Sequence, residues 1–297
     1  MKKTLMIILT LSFFSFGSQA SNYDEANWYL SIDVEQIKNT ILPLMPQKES
    51  QGKNKISFKD NLPSELKKLT MYGHSEQEDD LTVIATGDFS TFSLNDYIVN
   101  LMYQVNGESP VSLQDTQTYQ GTVINHFVVA EGRKNAEFYN AKLDNNHMII
   151  SLTEQEVKNW VDQRYSLSDI YQSDLVSLLV NVESAMAKMG TDLSNNSQPF
   201  NSAMFQKINQ FSASMYEAAS GDALSFEAAL ATSDEATAKQ LQQVLNGLIA
   251  MNALSNMEEN KPALSAMMSA LTIDLQGSDL LITTSLAYSL IPQFDID

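Results

Sequence analysis

Apolar and polar residues alternate in short runs along most of this chain, and the runs are separated by turn-forming residues. Residues 28–34 place Trp28, Leu30, Ile32 and Val34 on one face, the two-residue period of a half-buried strand. A short helix over 35–42 follows and is stopped by Pro43. Strands are predicted at 66–72 and 81–89. After Ser93, a helix-capping residue with Asp96 three positions on, the period changes. Leu94, Tyr97, Ile98, Leu101, Met102 and Val105 form one helical stripe. A hairpin is expected over 116–130 around Gln120-Gly121. Another joins 136–143 to 147–152 through Asp144-Asn145-Asn146, residues that tolerate left-handed turn geometry. Thr153-Glu154-Gln155-Glu156 is a capping-box pattern and opens a helix to about Arg164.

The second half repeats this rhythm. Val176, Leu178, Val180 and Val182 alternate, and residues 204–216 follow as the counterpart of 66–72. Leu224, Phe226, Ala228 and Leu230 alternate as a strand, and the next helix carries Leu241, Val244, Leu245 and Leu248 as its stripe. Residues 271–275 and 280–288 close as a hairpin over Gln276-Gly277-Ser278. Short identities accompany the rhythm. Ala85-Thr86-Gly87-Asp88 matches Ala231-Thr232-Ser233-Asp234, and Met71-Tyr72 matches Met215-Tyr216. The expected fold is therefore α+β, with two related halves produced by internal duplication. Each half is a mostly antiparallel sheet with helices packed on one face. The expected division is a leader at 1–20, a first repeat at 21–168 and a second at 169–297.

The leader has its own pattern. Lys2 and Lys3 precede an apolar run from Thr4 to Gly17, and Ser18-Gln19-Ala20 ends in small residues, as a cleaved secretory signal does. The run is too short to span a bilayer comfortably. The mature chain is expected in the periplasm or outside the cell, and not as an integral membrane protein. It contains no cysteine, which excludes disulfides, thiolate metal sites and cysteine nucleophiles.

The formal net charge is −18. The acidic excess falls evenly on residues 21–173 and 174–297, as a solvated acidic surface would. It argues against nucleic acid and anionic membranes as partners, since both need a basic face. One local exception is the polar stretch from 46 to 63. Lys48, Lys53, Lys55 and Lys59 lie in it as candidate contacts for an acidic partner.

Motifs for chemistry are scarce. His74, His126 and His147 lack metal-ligand or triad spacing, and His126 shares a strand face with Ile124 and Val128, as a satisfied core histidine would. Ser64 and Lys67 match the Ser-x-x-Lys of penicillin-recognising enzymes without its companion motifs. Glu76, Glu78, Asp79 and Asp80 form the densest set of hard oxygen ligands and are the candidate Ca²⁺ site, although the ligand order of an EF-hand loop is absent. Met186, Met189, Met204, Met215, Met251, Met257, Met267 and Met268 suit ordinary core filling better than a soft-metal site or a plastic binding surface. The sequence thus reads as a non-catalytic ligand- or partner-binding protein of the bacterial cell envelope, using a groove between the halves. A hydrolase without a recognisable motif and a divalent-cation binder are the alternatives.

Overall fold

A computed structural model describes residues 26–45, 62–73, 81–97, 99–100, 111–131, 134–165, 174–182, 207–255 and 262–293. It is a mixed α and β protein whose described strands pair antiparallel. The chain divides into two units. The first comprises 1–26, 33–38 and 47–171, and the second 27–32, 39–46 and 172–297.

The sheet of the first unit is ordered β2-β3-β7-β6-β5-β4. These strands are β2 (Leu66–Gly73), β3 (Thr82–Gly87), β4 (Val111–Tyr119), β5 (Thr122–Glu131), β6 (Lys134–Lys142) and β7 (His147–Ser151). The helix α1 (Val34–Thr40) precedes them. A 3-10 turn at Leu42–Leu44 takes up Pro43 in its first positions, so the helix ends where the sequence predicts. Gln120 and Gly121 between β4 and β5 both have positive φ, 48° and 83°, the requirement of a type I′ hairpin turn. The turn from β6 to β7 is built differently from the expectation. None of Asp144, Asn145 and Asn146 has a positive φ. Instead the Asp144 carboxylate accepts from the backbone N–H of Asn146 at 2.6 Å and from His147 Nδ1 at 2.8 Å.

The helix α2 (Glu154–Val161) lies against β6 and β7. Thr153 caps it by accepting from the Glu156 N–H at 3.3 Å. Only this half of the expected capping box forms, because the Glu156 carboxyl turns into the core. Tyr72, Ile84, Ile124, Ala141 and Ile149 share one face of this sheet and are each 1% exposed or less. On the opposite face Val111, Phe127 and Phe138 form a second cluster, with the two phenyl rings stacked at 5.1 Å.

The sheet of the second unit is ordered β1-β8-β9-β10-β12-β11. Its strands are β1 (Trp28–Asp33), β8 (Val176–Asn181), β9 (Ile208–Glu217), β10 (Ala223–Thr232), β11 (Thr272–Gln276) and β12 (Asp279–Ala287). The N-terminal strand β1 thus pairs with β8, Trp28 opposite Val180. The helix α3 (Glu235–Ser255) buries Ala238 and Leu241 against Ile208 and Leu280, with Leu245 packed beside them. Val244 and Leu248, predicted to share that stripe, are instead 38% and 36% exposed. A shorter helix, α4 (Pro262–Ser269), also touches β12, where Thr284 donates to the Met267 carbonyl at 2.6 Å. Its proline occupies the first helical position, where no N–H is needed. At the sheet edge, Gln242 of α3 donates to the Ile273 carbonyl of β11 at 3.0 Å, which occupies one acceptor on an otherwise open strand.

Each unit also holds the end of one inner strand between two backbone carbonyls. In the first, Gly87 donates to Asn146 at 2.9 Å and Asp88 to Glu65 at 3.0 Å. In the second, Thr232 donates to Ser278 at 3.1 Å and Ser233 to Lys207 at 3.0 Å. One acceptor lies in the turn of the following hairpin, and the other just before the neighbouring strand. Gly87 is required by this approach, because a Cβ there would stand 2.1 Å from the Glu65 oxygen.

Candidate functional site

A row of polar side chains crosses the first sheet from β2 to β4. Register places Tyr72, Thr82, Ser151, Tyr139, His126 and Asp115 side by side, one per strand. Its two ends differ in burial and therefore in chemistry.

At the β2 end the row is sealed. Tyr72 and Glu156 are 0% exposed. The Tyr72 hydroxyl donates to Glu156 Oε1 and accepts from the Trp160 indole at 2.6 Å. Asn159 donates to the other Glu156 oxygen at 2.9 Å. Thr82 and Ser151 hydroxyls meet at 2.8 Å beside them. Burial, and then the adjacent Glu156 carboxylate, push the Tyr72 phenol well above its ordinary value, against the smaller opposing effect of the Trp160 and Thr82 hydrogen bonds. A strongly perturbed group in a cleft would mark a reactive site. Here it lies in a closed core where polar groups satisfy one another, an arrangement that holds α2 onto β2.

At the β4 end the row opens. His126 stacks on Tyr139 with ring centroids 4.5 Å apart. Its Nδ1 faces Asp115 Oδ2 and its Nε2 faces Glu137 Oε2, each at 3.2 Å. Nearby, Glu154 pairs with Lys158 and accepts from Gln117 at 2.6 Å. The Lys158 hydrogen bond lowers the Glu154 carboxyl, burial opposes, and Gln117 adds to the lowering. His147 is held by Asp144. Burial works to raise that carboxyl, but the hydrogen bonds from His147 and Asn146 prevail and lower it. Ser64 and Lys67 are not brought together. The Ser64 hydroxyl donates to Glu65 at 2.9 Å, and Lys67 pairs with Glu35 at 3.8 Å. Among the described residues no three His, Asp or Glu side chains group so as to hold a metal ion. Glu76, Glu78, Asp79 and Asp80, and Lys48, Lys53, Lys55 and Lys59, lie outside the described residues, as does His74.

The second sheet carries a different surface. One of its faces is apolar in every cross-strand row of β1, β8, β9 and β10. The first row runs Trp28, Val180, Phe211 and Leu230. The next runs Leu30, Leu178, Ala213 and Ala228, and the third Ile32, Val176, Met215 and Phe226. All twelve are half-buried. The β10 side of this face carries the helices: Leu230 packs against the α3 cluster, and Phe226 stands opposite Thr284, which donates to Met267 of α4. The rows are also unequal in height. Ala213 and Ala228 stand side by side, with Phe211 and Leu230 on one flank and Met215 and Phe226 on the other. Small side chains between large ones make a trough about 5 Å per strand in length. The reverse face presents Ser177, Ser212, Ser214 and Ser225 at the intervening positions. Period-two alternation in the sequence gave the apolar face strand by strand. The trough needs the register between strands, which no local signal supplies.

Among the described residues no helix is long and apolar enough to cross a membrane. No protein-family model matches the chain, and no curated protein matches it. It is similar to one solved structure, crystal form I of TP0453, at 9% identity and a TM-score of 0.41, covering 90% of this chain and 91% of that one.

Proposed function

We propose that this chain is an exported, non-catalytic protein that binds an apolar or amphiphilic ligand, or an apolar segment of a partner, on the β1-β8-β9-β10 face of its second unit. The trough at Ala213 and Ala228 carries the reading. Binding sites are concave and mostly apolar, and their energy comes from removing such surface from water. The contrast with the first unit supports it, since the β2 end of the matching sheet face there is sealed and its polar groups are engaged with one another. The twelve side chains are already half-buried, so closing the face over a ligand would add only the remaining part of the about 1.5–3 kcal/mol that full burial of a large apolar side chain is worth.

We also infer that the chain arose by duplication. Its support is the pair of carbonyl clamps at Gly87–Asp88 and Thr232–Ser233, and the parallel strand orders β2-β3-β7-β6 and β9-β10-β12-β11. The basic leader followed by an apolar run supports export.

The test is native mass spectrometry of the chain purified gently from its own cells, together with titration of an environment-sensitive apolar dye. An added mass, and dye fluorescence that saturates with the wild type and is lost in Ala228→Leu at unchanged melting temperature, is the expected result. A bare chain with no saturable dye signal would overturn the binding reading. So would hydrolysis of a screened substrate that is lost in a single Ser or His variant.

A further inference from the structure

We infer that the apolar face of the second unit takes an amphiphile whose head is a cation, with Glu217 as the residue that selects it. The inference rests on the ligand reading above and adds to it the sign of the head. The twelve side chains of the face carry no charge. The choice of head is therefore made where the face ends.

Along β9 the face runs Phe211, Ala213, Met215 and then Glu217, by the two-residue period of a strand. Glu217 stands opposite the buried Leu224 and is itself exposed. It lies four residues beyond Ala213, about 13 Å along the strand. A tail bedded at Ala213 and Ala228 thus carries a head past Met215 to this carboxylate. Asp222, in the turn after β9, is exposed too and accepts from Ser220 Oγ at 2.5 Å. The Tyr288 N–H donates to the Asp222 carbonyl at 2.9 Å. Burial raises the Tyr288 phenol first, then the Glu217 carboxylate, with Asp222 adding less, so the three groups share one corner of the sheet.

The opposite end of the face offers an anionic head nothing comparable. The described bases of this unit are Lys207 and Lys239, and both lie there, beside the start of α3. Lys207 is engaged: its ammonium donates to Thr237 Oγ1 at 3.3 Å, and its charge acts on Asp234. Glu235 opens the helix beside them. At the Glu217 end no described base of this unit meets the two carboxylates. Set against apolar surface, they draw a cation and repel an anion. The formal net charge of −18 acts in the same sense over a longer range.

Displacement of the apolar dye from the full mature chain reads the sign of the head. The probes are dodecyltrimethylammonium, dodecyl maltoside and dodecyl sulfate, which share one tail, each kept below its micelle threshold. The ammonium is expected to displace the dye at roughly fivefold lower concentration than the maltoside, the yield of a partly exposed ion pair, and the sulfate to be weakest. In Glu217→Gln the advantage of the ammonium should vanish while the maltoside is unmoved. Glu227→Gln removes the same charge from the reverse face and should keep the advantage. Equal displacement by all three, or sulfate first, overturns the inference and leaves the ligand reading standing. So does an advantage that survives in Glu217→Gln, or one that falls equally in Glu227→Gln and so belongs to the overall charge. A chain that never binds the dye overturns both.

Discussion

The indole N–H of Trp160 donates to the phenol oxygen of Tyr72 across 2.6 Å, and so ties the last turn of α2 to strand β2. The Tyr72 hydroxyl in turn donates a hydrogen bond to Glu156. The three residues come from two distant stretches of chain, and all are at most 4% exposed. A buried network of this kind is stabilising only while every member is satisfied.

Tyr72→Phe keeps the ring and deletes the oxygen, which takes a partner from both Glu156 and Trp160. It should cost about 2–3 kcal/mol, the penalty for stranding buried polar groups. Urea unfolding measures it, and a cost below 0.5 kcal/mol, the scatter of neutral surface substitutions, would show that the network holds nothing.

The same phenol sets an alkaline limit. Its folded value lies above its unfolded one, so the folded state holds the proton more tightly. This contribution is fully present below about pH 10, the ordinary tyrosine value, and is lost as pH rises from there toward the folded value, at up to about 1.4 kcal/mol per pH unit. Wild type should therefore lose stability above pH 10 more steeply than Tyr72→Phe. Parallel pH profiles of the two proteins would contradict this.

Two glycines should respond oppositely to alanine. At Gly87 the new methyl meets the Glu65 carbonyl at 2.1 Å and the Phe89 ring at 2.9 Å, both of them in packed structure. The backbone must shift and break the clamp, at a cost of about 3 kcal/mol or more, in the overpacking range. At Gly247, inside α3, nothing lies within 4 Å. Alanine there should add about 0.5–1 kcal/mol. Thermal melts of both variants give the comparison, and a neutral Gly87→Ala would refute the close approach.

The orientation of α3 is open to a similar pair. Leu241 is 2% exposed and Val244 38%. Leu241→Ala should cost about 2–4 kcal/mol and Val244→Ala less than about 0.5 kcal/mol. Equal costs in a denaturation series would mean that the helix is rotated so that both residues share the core.

Much of the local structure is legible in the sequence. Gln120-Gly121 marks the hairpin because its turn needs two positive φ values. Thr153 marks the start of α2 because its side chain can reach the third N–H along. Other features depart from the local pattern for identifiable reasons. Val244 and Leu248 fit the helical period as well as Leu241 does, and period alone does not say which of two adjacent apolar stripes meets the sheet. Glu156 fits a capping box, but a buried phenol competes for its carboxyl and wins. The short helix α4 has a weak signal, a proline opening eight residues of mostly small and apolar type.

Sequence by itself determined the α+β class, most strand positions, the turns and the absence of cysteine, because these depend on residue identity and on spacings of two to four positions. Tertiary structure alone decided which strands are neighbours. That choice put β1 beside β8, joined Tyr72 to Trp160, and set Asp115 and Glu137 on either side of His126. It also set Ala213 against Ala228 to leave a trough between larger side chains. Each of these rests on register between strands, where a slip of one residue would turn every side chain to the other face. No short-range pattern carries that information, because the energy that selects a register is shared among side chains far apart in the chain.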